Sequence, residues 1–224
     1  MKIRIDASKC TSCIQGYSSF NNGMSDYWYY SDHTFETGRS YGLISEYKQG
    51  CMYLSYLLGG QIKFEDGLEL YLDDSKISPK ELEDISWNLE PNHEKYKDLI
   101  VKKAIEKALK NGSVEGSFEQ LAECFHLTPE RYSCKLRQLS GERWSASVAI
   151  GYASGKKIFY APYESSNFYS ANARLQNMID FLTSNDCMVL LPVGSDMYIK
   201  QCVDQCIYIV QKTDWWKAET GGEK

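Results

Sequence analysis

Residues 41–60 read YGLISEYKQGCMYLSYLLGG, and the order of residue types along them decides the fold. Tyr41–Ile44 has the apolar run of a short strand. Residues 45–50 follow as a tight turn, and Cys51–Leu58 is apolar enough for a buried helix that stops at Gly59-Gly60. A strand that passes through a glycine turn straight into a helix is the setting of a phosphate-cradling loop, G-x-x-x-x-G-K-[ST]. The glycines let backbone N–H groups wrap a phosphate, the lysine meets the β- and γ-phosphates, and the hydroxyl ligates Mg2+. Set on that pattern, Ser45 stands at the first glycine and Glu46, Tyr47, Lys48 and Gln49 fill the variable positions. Gly50 is kept, Cys51 replaces the lysine and Met52 replaces the hydroxyl residue. A thiol does not neutralise a triphosphate, and a thioether is too soft a ligand for a hard magnesium ion.

A second stretch, residues 139–162, reads LSGERWSASVAIGYASGKKIFYAP, and the chain continues through YESSNFYSANARLQNMIDFLTSNDCMVLLPVGSDMYIKQCVDQCIYI. Together the two segments resemble an ABC-type ATPase domain over roughly residues 20–210. Leu139-Ser140-Gly141 looks like the start of that family's LSGG signature at the mouth of a helix. Residues 157–161 look like its Walker B strand, and Val189-Leu190-Leu191 like the strand leading to the switch histidine. Asp204 matches the aspartate before its last core strand. The resemblance implies an α/β fold: a P-loop NTPase-like core with a mainly parallel sheet, an N-terminal antiparallel β-subdomain and a helical lobe.

The departures from that family are as consistent as the likeness. Ala161-Pro162 stands where the Asp-Glu pair closes the Walker B strand, and neither residue holds Mg2+ or polarises an attacking water. Glu164 is the nearest carboxylate and comes two to three residues late. Gly194 falls where the switch histidine belongs. Glu142 replaces the signature's second glycine and would set a negative charge where a γ-phosphate approaches. The segment expected to hold a magnesium-contacting glutamine, Ser86–Glu90, has none. The expectation is a degenerate nucleotide-binding subunit, a pseudo-ATPase with no catalytic residue and no cofactor of its own. Mg-ATP would reach it weakly, with Tyr27 or Tyr30 as a stacking aromatic, or through a partner. Family members pair head to tail, so a homo- or heterodimer of such domains is expected, with a membrane permease as a further partner.

Length and composition fit one such domain: 224 residues with a formal charge of −5. The mild acidity excludes bulk-charge binding to nucleic acid or acidic membrane. No run of eighteen apolar residues exists, and MKIRIDASKC reads as a strand rather than a secretory leader, so a cytoplasmic protein reaching a membrane only through a partner is expected. The eight cysteines include Cys10-x-x-Cys13, the spacing of a redox or metal half-site, and Cys202-x-x-x-Cys206 as a second pair. Their wide separation, without a nearby histidine, favours reduced, buried side chains. A reactive Cys51 with a lowered pKa at its helix N-terminus is the other chemical option.

Periodicity organises the rest. Lys2–Ile5 and Tyr27–Tyr30 suggest strands of the N-terminal sheet, and His33–Arg39 leads into the strand at 41. IKF (62–64) and LELYL (68–72) flank the hairpin signal Asp66-Gly67. Tyr96–Leu109 is helical, ended by Lys110-Asn111-Gly112-Ser113, and Leu175, Met178, Ile179 and Leu182 mark a second packed helix. The expected divisions are 1–90 for the β-subdomain and first half of the core, 91–138 for the helical lobe and 139–213 for the second half. Residues 214–224, with Trp215-Trp216, form a tail whose tryptophans cover the domain edge. Within the lobe, SFEQLAECFHLTPERYSCKLRQ (117–138) carries a capping box at Ser117/Gln120 and an N-cap-proline pair at Thr128-Pro129. It therefore also reads as a helix-turn-helix with Arg131, Lys135 and Arg137 toward phosphate, although Glu119, Glu123 and Glu130 cancel the charge and His126 occupies the turn. Nucleic acid is the less expected partner. A third reading is an interaction protein that kept the fold, with Tyr47, Met52 and Tyr53 as contacts.

Overall fold

A computed structural model of the chain describes residues 1–10, 13–18, 24–29, 31–47, 49–90, 95–111, 114–170 and 173–209. The first strand, β1 (Lys2–Asp6), alternates as its sequence requires, with Ile3 and Ile5 fully buried. Next come β2 (Cys13–Ser18), β3 (Met24–Tyr29), β4 (His33–Glu36), β5 (Ser40–Ile44), α1 (Cys51–Leu58), β6 (Glu69–Leu72) and β7 (Ser75–Lys76). The middle of the chain holds α2 (Pro79–Ile85), β8 (Ser86–Asn88), α3 (Val101–Lys110), α4 (Phe118–Cys124) and α5 (Arg143–Ala153). The last part holds β9 (Ile158–Tyr160), α6 (Ser166–Ser170), α7 (Ala173–Ser184), β10 (Met188–Val193), α8 (Asp196–Ile199) and β11 (Gln205–Tyr208).

Five of these strands form a parallel sheet in the order β11-β5-β10-β9-β8, and four form an antiparallel sheet in the order β4-β1-β6-β7. Central strands of a parallel sheet are covered on both faces and read as unbroken apolar runs. β10, MVLLPV, is buried at every residue. Its alternate side chains join two cores. Met188 and Leu190, with Ile158 and Tyr160 of β9, pack with α1 and the antiparallel sheet. Val189, Leu191 and Val193, with Phe159 and Ala161, pack with α3, α5 and α7. In α7 the buried residues are Leu175, Met178, Ile179 and Leu182, the stripe expected from the sequence.

Several local expectations are corrected. Residues 62–64 form no strand, and Asp66-Gly67 only closes a loop. The hairpin lies one step later, between β6 and β7, where Asp73 (φ 44°) and Asp74 (φ 69°) take the left-handed conformations that a two-residue hairpin turn requires. The Asp73 carboxylate also accepts the Lys2 N–H at 2.7 Å, which ties the turn to β1. The aromatic strand β3 joins β2 in a separate two-stranded hairpin rather than the N-terminal sheet. His33–Arg39 begins with a strand of its own, β4, paired with β1. The helix expected from Tyr96 starts at Val101, because Tyr96 is stacked on Trp87 with ring centroids 4.0 Å apart.

The helix-turn-helix does not form. Ser117 and Gln120 make their capping box on α4, but Thr128-Pro129 opens a single 3-10 turn, Pro129–Arg131. Thr128 precedes that turn without a side-chain cap bond, and its N–H and Oγ1 both donate to the Glu142 carboxylate (3.1 and 3.0 Å). The chain then returns to bridge Ile100 with Lys135, and Lys135 and Arg137 face Asp98 at 3.1 and 2.9 Å rather than solvent phosphate. Among the described residues no helix is long and apolar enough to cross a membrane. Tyr30, Gly112, Ser113 and the tail with Trp215-Trp216 lie outside the described residues, as do the side chains of Tyr27 and Cys13.

Candidate functional site

In open parallel α/β sheets ligands gather at the carboxyl ends of the strands. Here β5, β10, β9 and β8 deliver Ser45–Gly50, Gly194, Ala161–Glu164 and Glu90 to that edge, so the first half and the second half of the sequence meet there. Ser45 N–H donates to Val193 O at 3.2 Å, and the Ser45 hydroxyl donates to the Glu46 carbonyl (3.0 Å) and accepts the Cys51 N–H (3.1 Å). The loop is therefore closed by its own serine. Gly50 has φ 107°, a backbone state that favours glycine, which gives the retained glycine a conformational reason.

Gly50 caps α1 without a side chain, and the cap comes from another strand. Trp28 of β3 is buried against the Tyr53 ring, 5.9 Å between centroids, and seats the β2–β3 hairpin on α1. Two residues earlier on the same face lies Asp26, 1% exposed. Its Oδ1 accepts the Gly50 N–H at 2.8 Å and its Oδ2 accepts the Tyr53 N–H at 2.7 Å. Backbone N–H groups at this helix mouth are the donors a phosphate would need. Two of them hold a carboxylate of the chain itself. Sequence reasoning missed Asp26, because it sits 24 residues before Gly50 in a strand with no motif of its own.

The remaining positions also take structural roles. Cys51 is fully buried, and burial pushes its thiol up to about 12, against the lowered value expected from its helix N-terminus. Met52 and Tyr53 are buried as well, so neither is a surface contact; Tyr47 is exposed, and Lys48 lies outside the described residues. Ala161 and Pro162 are buried, with the Ala161 carbonyl accepting the Ser55 hydroxyl at 3.0 Å. The chain does not turn after Pro162. It stays beside β10, with the Glu164 N–H donating to Pro192 O at 3.2 Å, and so carries Glu164 to the sheet end. Burial raises the Glu164 carboxyl, and burial together with the Glu164 charge raises that of Glu90.

Gly194 is exposed, and a Cβ there would fall against the Tyr163 hydroxyl. The Tyr163 ring, edge-on to Tyr47 at 5.2 Å between centroids, occupies the room a residue-194 side chain would need. Sequence reasoning gave Tyr163 no role. Ser140 and Gly141 are exposed just before α5, and Leu139 is buried. Arg143 Nε donates to Leu139 O, and Arg174 Nη1 donates to Gly141 O at 3.4 Å. The Glu142 carboxylate is turned inward to Thr128, so the charge expected at this mouth is buried behind it.

Among the described residues, the positions that would hold a Mg-nucleotide at the sheet end carry side chains that do not fit it. The lysine and hydroxyl positions are buried sulfur side chains, and two amides of the helix mouth are engaged by Asp26. Among the described residues no group of three or more His, Cys, Asp or Glu is placed to hold a metal ion.

No protein-family model matches the sequence, and no curated protein matches it. Solved structures do. The ADP conformation of MJ1267, an ATP-binding cassette of an ABC transporter, superposes with TM-score 0.65 at 12% identity, covering 93% of this chain and 87% of that one. CbiO1 from Clostridium perfringens, part of the ABC transporter complex cbiONQ, gives 0.62 at 7% identity, covering 92% and 84%. The cassette MJ0796, a dimer bound to ADP and Pi, gives 0.61 at 14% identity, covering 92% and 94%. The chain has the fold of the ABC-transporter ATP-binding cassettes over almost its whole length.

Proposed function

We propose that this protein is a non-hydrolysing member of an ABC-type assembly, a pseudo-ATPase that pairs with an intact ATPase subunit and through it with a membrane permease. The observation that carries the reading is the Asp26 carboxylate on the Gly50 and Tyr53 amides, which puts a protein anion where a nucleotide phosphate would need to lie. The buried Cys51 and Met52 and the apolar Ala161-Pro162 support it, since charge and metal chemistry at those positions is what phosphoryl transfer uses. The dimeric state of MJ0796 and the membership of CbiO1 in a transporter complex support a partnered role, peripheral to a membrane and on its cytoplasmic side. In such a pair Ser140 and Gly141 would face the partner's nucleotide, with Arg143 and Arg174 beside them.

A pure interaction scaffold is the second reading, and one observation favours it. Among the described residues the exposed large hydrophobics are Tyr47, Met197, Tyr198 and Tyr208, and all four lie at or after the carboxyl ends of β5, β10 and β11. A nucleotide-binding edge has little use for such a patch, whereas a protein partner does.

Calorimetry with Mg-ATP and a turnover assay test the proposal. The purified chain is expected to bind Mg-ATP weakly, without cofactor of its own, and to hydrolyse it no faster than buffer. Loss of one preorganised charge partner in such a site typically costs about 100-fold or more in rate. Turnover that survives stringent purification and disappears on substituting a residue of this pocket would refute it.

A further inference from the structure

Two antiparallel strands alone are at best marginally stable in water, so the β2–β3 hairpin, a sheet to itself, depends on what it is seated against. Its anchor is Trp28, fully buried in a cluster of rings from three elements. The indole meets Tyr53 of α1 at 5.9 Å between centroids and is stacked on His33, at the start of β4, at 6.0 Å. His33 also touches Phe35, 6.1 Å away. His33 is the one member of this cluster that gains a charge near neutral pH. Burial opposes the charged ring and holds its pKa below the ordinary 6.5, and the Asp32 charge beside it offsets part of this. The Ser31 hydroxyl lies 2.7 Å from Nε2, a bond that survives protonation with donor and acceptor exchanged. A surface cavity of about 280 Å³, lined by Arg4, Asp6, Ser8, Asp32 and Thr34 besides His33, gives protons a route to the ring. Arg4 and Asp6 of β1 face that cavity as an ion pair of their own at 3.3 Å. Among the described residues the other titratable groups on packed elements are Glu36 further along β4, Tyr53 itself, and the buried Asp26, two residues before Trp28 on β3.

We infer that His33 is an acid-sensitive latch on the β2–β3 hairpin: neutral, it holds Trp28 in its seat against α1, and charged, it withdraws toward the cavity and lets the hairpin lift. The inference is independent of whether the loop after β5 meets a nucleotide. A proton is bound more readily with the hairpin lifted than with it seated. The advantage of the seated form is therefore complete above 6.5 and is lost as pH falls from there through the lowered value. Asp26 makes the event visible away from the histidine. Its carboxylate holds the Gly50 and Tyr53 amides at 2.8 and 2.7 Å, and these belong to α1 and its cap rather than to the hairpin.

The test is an NMR titration of the isotope-labelled full chain from about pH 8 to about pH 4.5, spanning the range in which histidine charges. It follows the His33 ring protons and hydrogen exchange at the Gly50 and Tyr53 amides. The ring is expected to titrate below 6.5. Protection of both amides, corrected for the intrinsic pH dependence of exchange, should fall with the same midpoint. The loss should be about tenfold for each pH unit by which that midpoint lies under 6.5. Asp32→Asn keeps an acceptor for the Ala7 N–H and removes the charge that favours the imidazolium, so it should move both midpoints down together. His33→Gln should abolish the change in protection. A loss of protection that persists in His33→Gln overturns the inference, because Asp26 itself would then be the titrating group. A His33 midpoint at or above 6.5 overturns it as well. Where a variant does not fold, the wild type decides: a shared midpoint of ring and amides supports the latch, and separate midpoints overturn it.

Discussion

Glu90 leaves β8 partly buried, with Oε2 lacking a hydrogen-bond partner among the described residues and with the charge of Glu164 facing it. Both carboxyls are held above the ordinary value of 4.5 by burial, that of Glu90 also by its neighbour's charge. The folded chain therefore binds protons here more readily than the unfolded one. The stability linked to these protons is complete below about 4.5 and is lost as pH rises through the raised values. Surface carboxylates such as Glu83, Asp84 and Asp98, lowered by hydrogen bonds to lysines, act in the opposite sense and lose their contribution as pH falls. Glu90→Gln is accordingly expected to leave Tm unchanged near pH 4.5 and to raise it at pH 8. Thermal melts across that range check this, and an offset equal at every pH would rule it out. At this scale Cys51, Met52 and Gly50 were legible because a loop pattern fixes their spacing. Asp26 was not, because nothing in a strand's local sequence says which helix mouth it will reach. Glu164 was legible only as a carboxylate two to three residues late; that the chain runs on beside β10 and carries it to the sheet end was not.

Elements were legible where burial imposes a period. β1, α1, α7 and β10 follow directly from apolar spacing, since each packs one face or both against a core. Turns were harder. Asp66-Gly67 carries the stronger hairpin signal, yet Asp73-Asp74 makes the hairpin, because only the strand Glu69–Leu72 finds a partner in β1. The helix expected after Thr128 is reduced to the 3-10 turn Pro129–Arg131, and the Thr128 side chain is turned to Glu142, fourteen residues away. Helix α5 shows how tightly two elements can be fitted. Gly151 lies against Trp87, whose Nε1 donates to Ser147 Oγ at 3.0 Å, and a Cβ at 151 would come within 2.5 Å of the indole. Trp87 in turn stacks on Tyr96, so the indole has little room to retreat. Gly151→Ala is expected to destabilise the fold by about 1–3 kcal/mol through this overpacking, despite the better helix propensity of alanine. Urea denaturation measures it, and a neutral or stabilising result would mean that the indole shifts freely.

The whole molecule was legible from the order of its segments rather than from any one of them. A strand–turn–helix near 41–58, a helix mouth at 140 and strands near 158 and 189 come in the sequence and spacing of a cassette, and superposition bears out that fold at identities of 7–14%. Topology tolerates such divergence because cores ask only for apolar side chains of suitable volume, whereas catalytic positions ask for one residue type. On the proposed non-hydrolysing role, what remains to be tested is the surface. Ser140 is where that surface is most easily tested. It is exposed ahead of α5, and Glu142 is already anchored on Thr128, so a larger side chain at 140 disturbs no buried contact. Ser140→Arg should therefore leave Tm within about 2 °C of wild type, the range of ordinary surface substitutions. If this face meets an intact ATPase across that partner's nucleotide, the arginine fills the space between them and adds to the charge of Arg143 and Arg174. ATP-dependent association of the pair, followed by size-exclusion chromatography, and the partner's ATPase activity should both fall at least tenfold. An unchanged complex with unchanged activity would make the Ser140–Gly141 mouth a relic and would move the partner to the aromatic edge formed by Tyr47, Met197, Tyr198 and Tyr208.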